Sequence, residues 1–149
     1  MEQTLKEKSL EHETDGAAAE SPVVVPEALE ETILTTIRAA EDKKAVDTLV
    51  LDLREIASFT DHFVITNGTN VRQVQAISDG IQEELKKIGT RAYRIEGYNT
   101  GEWILMDFGD FIVHIFEEKA REFYDLERLW RDAKRIAIPG QENSPQRDR

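Results

Sequence analysis

The chain of 149 residues has no cysteine. That excludes disulfides, thiolate metal sites and cysteine nucleophiles. Long apolar runs are also missing: the longest candidates, such as Trp103–Met106 and Phe111–Val113, are strand-sized, against the roughly 18 residues a membrane span needs. The opening residues MEQTLKEKSLEHETD have no apolar stretch of the signal-peptide kind and are too acidic for a transit peptide, so the cytoplasm is the expected address. Bases are scarce as well: 19 Lys and Arg face 30 Asp and Glu, a formal net charge of −11. A field of that sign repels naked nucleic acid, so little direct nucleic-acid contact is expected, and it favours encounter with basic partners.

What is present suits one α/β domain between two tails. Residues 1–26 carry scattered charge, a Gly16-Ala17-Ala18-Ala19 run and two prolines, which predicts a disordered acidic tail; the prolines flanking Val23-Val24-Val25 argue against its docking as a strand. Residues 139–149, with Gly140, Pro145 and little apolar content, predict a second disordered tail. The tails do not hold the acidity. Residues 1–26 contain six acids and two bases and residues 139–149 two of each, which leaves 27–138 a net −7.

Within 27–138, Leu29, Ile33, Leu34, Ile37 and Ala40 recur at helical spacing behind Pro26. Two strand-like runs follow, Asp47 to Leu53 and Phe63 to Thr66. A second helix is predicted over 70–88, with Val71, Val74, Ile77, Ile81, Leu85 and Ile88 as its stripe, Asn70 as N-cap and Gly89 just beyond its end. A strand over 91–96 precedes two more, 102–108 and 111–116, joined by a Gly109-Asp110 hairpin turn. Phe123, Leu126, Leu129, Trp130, Ala133 and Ile136 predict a closing helix. The order implies a mixed sheet of about five strands flanked by helices.

Chemistry-bearing residues are sparse. Asp107 and Asp110 flank the hairpin turn and could bind Mg²⁺ or move protons, but an aspartate in a turn has its own local reason. Asn67-Gly68-Thr69 runs from strand into helix, as the glycine turn of nucleotidyltransferases does. Those enzymes also need paired carboxylates alternating on a neighbouring strand. Neither Arg91–Ile95 nor Trp103–Asp107 has an acid-x-acid pair, and Val50 and Arg54 stand two positions either side of Asp52. His12, His62 and His114 show no metal-ligand spacing, and Ser58 and Ser78 no nucleophile elbow. Arg72, unfavourable in a first helical turn, either pairs with an acid such as Asp61 or reaches a partner. In a strand, Trp103, Leu105 and Asp107 share one face and Ile104, Met106 and Phe108 the other. The pattern is compatible with a partly exposed Trp of the hot-spot kind and with one buried at the sheet edge.

Several segments together resemble the Iojap-like ribosomal silencing factors: Asp61-His62-Phe63-Val64-Ile65-Thr66-Asn67-Gly68-Thr69 with Val71-Arg72-Gln73-Val74, then Glu96-Gly97, then Gly101 to Phe116, then Arg121 to Trp130. The W-x-x-x-D-x-G-D-x-x-x-H run from Trp103 to His114 is the most specific part. His62, where the family often has Tyr, and Asn67, where a small Ser or Thr is usual, depart from the pattern. The resemblance implies a nucleotidyltransferase-like fold without the catalytic carboxylates, no enzymatic activity, and no metal or cofactor. It implies binding to ribosomal protein fourteen of the large ribosomal subunit and steric exclusion of the small subunit, lowering translation when nutrients are scarce. A role in large-subunit maturation is also associated with the family, and it suggests a homodimer when free. Carried onto this chain, the partner-binding residues are Trp103, Met106, Asp107, Phe108 and Asp110.

Overall fold

The computed structural model describes residues 3–12, 24–25 and 28–140. In chain order the elements are α1 (Leu5–Leu10), β1 (Val24–Val25), α2 (Glu31–Asp42), β2 (Val46–Asp52), β3 (His62–Gly68), α3 (Val71–Lys87), β4 (Arg94–Glu96), β5 (Trp103–Asp107), β6 (Phe111–Glu117), α4 (Glu118–Tyr124), α5 (Leu126–Leu129) and β7 (Lys134–Ile136). No helix among the described residues is long and apolar enough to cross a membrane.

One face of the sheet is covered by α2 and α3. In α3, Val74, Ile77, Ile81 and Leu85 are fully buried, and each such side chain contributes roughly 1.5–3 kcal/mol. They meet Val50, Val64, Ile104, Met106, Val113 and Ile115 from the strands, with Ile33 and Ile37 of α2 alongside. The Asn70 side chain caps α3 by accepting from the Gln73 amide at 2.9 Å. The other face carries Leu49, Leu51, Phe63, Ile65, Trp103 and Phe116, covered by Ala120, Leu126 and Trp130. Because both faces are covered, the inner strands are buried along nearly their whole length.

The strands lie in the order β1-β7-β2-β3-β6-β5-β4. β3 and β6 run parallel, in register from His62 opposite Phe111 to Gly68 opposite Glu117. Parallel neighbours need a crossover, and α3, β4 and β5 supply it. β1 and β7 are also parallel; the remaining neighbours are antiparallel, including the β5–β6 hairpin.

Three expectations need correction. Among the described residues the sheet has seven strands, not about five, the additions being β1 and β7. The helix predicted through Ile136 breaks at Asp125, whose left-handed backbone (φ 49°) stops α4; the chain then makes the short α5, turns, and leaves as β7. Ile136 and Ile138, two apart, both enter the core under α2 and α3, which is strand spacing. Nor are residues 1–26 a featureless tail. Leu5–Leu10 is helical, with a Thr4–Glu7 capping box, and Val24–Val25 pairs with Arg135–Ile136 despite its proline neighbour. Residues 1–2, 13–23 and 26 of that segment, and 141–149 of the second predicted tail, lie outside the described residues.

Candidate functional site

The turn between β5 and β6 is built by local chemistry. Phe108 donates its amide to the Phe111 carbonyl at 3.0 Å, closing the turn. The Asp107 carboxylate accepts from the Gly109 amide at 2.8 Å, the turn role that competes with a catalytic one. The next loop pins the turn from outside: the Asp61 and His62 amides donate to the Asp110 carbonyl at 3.0 and 3.2 Å, and the Thr60 hydroxyl donates to the Gly109 carbonyl at 2.9 Å. Asp110 and Asp61 are exposed and Asp107 is half-buried, so three carboxylates mark one end of the sheet. Among the described residues, no three His, Asp or Glu side chains are placed to hold a metal ion.

The predicted partner-binding residues divide sharply. Asp107 and Asp110 reach solvent. Met106 is fully buried under α3, its sulfur 3.7 Å from the Ser78 hydroxyl, so it cannot anchor a contact unless α3 lifts. Phe108 is nearly buried, stacked on Phe111 with ring centroids 4.9 Å apart. It forms the floor of a groove of about 410 Å³ between α3 and β4, beside Lys86 and Arg91. Trp103 is 4% exposed, which settles the two readings of its pattern in favour of the buried one. Tyr124 packs at 4.7 Å from its ring and Phe116 at 5.1 Å. The expected exposed aromatic is instead Tyr93, 80% exposed, whose amide donates to the Asp107 carbonyl at 2.8 Å. No sequence pattern singles out Tyr93, because Arg91–Glu96 has only moderate alternation.

The strand-to-helix turn at Gly68 is filled by its own chain. The Gln73 side-chain oxygen accepts from the Thr69 amide at 2.7 Å and from the Thr69 hydroxyl at 2.9 Å. The Gln73 amide nitrogen donates to the Lys43 and Lys44 carbonyls. These bonds take up donors that an anion-binding helix start would offer to phosphate. Asp52, the acid on β2 weighed as a metal ligand, is likewise committed. Arg54 bonds it from Nε at 3.0 Å and Nη2 at 2.8 Å, and holds its carboxyl down at about 2.

Two further groups organise the surroundings. Arg121 is buried in α4, its Nη1 donating to the Asn67 side chain at 2.8 Å and its Nε to Glu127 at 3.0 Å. His114 of β6 is fully buried and accepts from the Trp103 indole at 3.1 Å. No alternation rule would have singled out Arg121, since a buried arginine looks like a solvated one in sequence.

Comparison with known proteins bears on the family and the fold. Residues 26–149 match the family model described as "Ribosomal silencing factor during starvation". The ribosomal silencing factor of Haemophilus influenzae is 42% identical over 103 residues, 69% of this chain and 98% of that protein. A mouse protein named "Mitochondrial assembly of ribosomal large subunit protein 1" is 32% identical over 91 residues, 59% of this chain and 40% of that protein. A crystal structure from Chromobacterium violaceum superposes with a TM-score of 0.67 at 31% identity, covering 80% of this chain and 98% of that one. The turn, the acidic hairpin and the two-faced sheet are thus carried by a sequence that belongs to the ribosomal silencing factor family.

Proposed function

We propose that this chain binds the large ribosomal subunit through ribosomal protein fourteen, and that its body then occupies space the small subunit needs. The reading rests first on family membership and on the names of the relatives, which speak of ribosomal silencing and of large-subunit assembly rather than of a reaction. The observation that carries the contact is the β5–β6 hairpin, with Asp107 and Asp110 held toward solvent beside the exposed ring of Tyr93. Carboxylates around an aromatic suit a basic protein surface: the ring supplies area and the charges steer encounter with Lys and Arg. Within the predicted set, Asp107 and Asp110 meet the partner, while Met106 and Phe108 support the strand from behind. Trp103 lies under the edge of the same surface.

Steric exclusion needs no chemical step. Purified subunits mixed with and without the protein, before magnesium drives their association, provide the test. Cosedimentation with the large subunit and loss of joined ribosomes is the expected result. Binding without loss of joining would favour a role in large-subunit maturation, the reading the mouse relative's name supports. The absence of any binding would refute both.

A homodimer of the free chain belongs to the same proposal. If the dimer uses the hairpin surface, ribosome binding requires its dissociation. Analytical ultracentrifugation showing only monomer at micromolar concentration would remove it.

A further inference from the structure

We propose that Glu96, Gly97 and Trp103 form a receptor for a lysine side chain of a basic protein partner, and that in the free chain Lys6 of α1 occupies it. The Lys6 ammonium donates to the Trp103 carbonyl at 2.8 Å and stands 4.8 Å from the centroid of the Trp103 ring. A cation over an indole is attracted by the ring's electron density. Gly97 opens the space: a Cβ there would lie 2.7 Å from the Lys6 nitrogen. Glu96 closes it with negative charge. Its Oε2 is buried without a hydrogen bond and meets Arg94 only at 3.7 Å. Burial lowers the Lys6 pKa below its ordinary value, and the field of Glu96 opposes that lowering. A carbonyl, an aromatic face and a carboxylate around a gap left by glycine are the parts of an ammonium site.

The occupant can be exchanged. α1 has six residues, too few to be stable alone, and it precedes the family-matched segment 26–149. Besides Lys6, its hold on the body includes the Trp130 indole donating to the Ser9 carbonyl at 2.7 Å, and His12, stacked on Trp130 and bonded to Asp132. Local opening of so small a unit is expected to need far less free energy than global unfolding. With α1 lifted, the ring of Trp103 becomes available on the strand that leads into the acidic hairpin. This inference rests on the docking reading above, and gives it a built-in competitor.

The test uses the full chain with Lys6→Ala or Lys6→Glu, and Lys8→Glu as a control that adds the same charge to the same helix. The Lys6 variants should shift tryptophan emission to the red and bind purified large subunits roughly three- to tenfold more tightly, with Lys8→Glu close to the parent. Shifted emission with unchanged or weaker binding would overturn the competition, and unshifted emission would show that Lys6 does not hold α1. A parent chain that binds no large subunit would refute the docking reading instead. The receptor is then judged by titrating tetralysine onto Lys6→Ala: altered emission in the variant but not in the parent supports it, and no response in either overturns it.

Discussion

Trp103 and His114 form a hydrogen-bonded pair inside the sheet, the indole N–H donating to Nδ1 of the imidazole at 3.1 Å with neither ring open to solvent. An Nδ1 that accepts requires the neutral ring with its proton on Nε2. Burial, with a smaller contribution from the Lys6 charge, holds the His114 pKa down at about 3.

The pair makes stability depend on acid. An unfolded histidine takes a proton near pH 6.5, whereas the folded chain refuses it until about pH 3. Stabilisation from the neutral ring is complete above pH 6.5 and is lost as pH falls through that window, at about 1.4 kcal/mol per pH unit well below 6.5. Denaturant titrations at pH 7 and 5 measure the loss. His114→Asn keeps an acceptor for the indole, costs stability at pH 7 through its smaller volume, and should remove this part of the slope. Equal slopes in the two proteins would contradict the assignment.

Arg121→Met should be among the most damaging single changes. Glu127 and the Asn67 side chain both depend on this buried guanidinium, and breaking such a pair costs about 3–5 kcal/mol. Arg121→Lys should recover little, because one ammonium cannot span both partners. Adding Glu127→Gln to Arg121→Met should regain part of the loss. Thermal melts of the three variants check the ranking.

Gly97→Ala and Gly89→Ala share a left-handed backbone, with φ of +81° and +83°, but differ in surroundings. At Gly89 nothing lies within 4 Å, so only the conformational cost of about 1–2 kcal/mol applies. At Gly97 the new Cβ would lie 2.1 Å from the Trp103 carbonyl oxygen, which forces β4 away from β5. Gly97→Ala should therefore lower the melting temperature clearly more than Gly89→Ala. Equal shifts would show that the loop yields freely.

Asp107→Asn retains an oxygen for the Gly109 amide and loses only charge; Asp110→Asn changes a side chain exposed at the turn. Each should leave the unfolding free energy within about 0.5 kcal/mol of the parent and weaken large-subunit binding several-fold at low salt, less at high salt. Denaturant titrations measure the first effect, and cosedimentation titrations at two ionic strengths the second. Unchanged affinity in the double variant would remove the hairpin from the docking surface.

The long elements were legible in the sequence for physical reasons. α3 has 17 residues, enough turns for a 3.6-residue period to stand out, and the β5–β6 hairpin announces itself through Gly109-Asp110 between apolar runs. β1 and β7, of two and three residues, are too short to show any period and exist because β7 finds the backbone of β2 and β1 that of β7. The docking of α1 depends on Trp103 and Trp130, about a hundred residues away, and no local pattern encodes such a contact. The site followed the same division. Alternation placed Trp103 and Asp107 on one face correctly, but exposure depends on what else lies there. Lys6 and Tyr124 cover Trp103, and nothing comparable covers Tyr93.

The strand Lys134–Ile136 lies between Val24–Val25 and Val46–Asp52, so the sheet is completed from the inside by nearly its last described residues. Until that segment has been synthesised, one side of β2 has no neighbour and its backbone donors and acceptors stand open. A chain that stops short of Lys134 therefore keeps an adhesive edge on β2 and is inclined to aggregate rather than to form a smaller working domain.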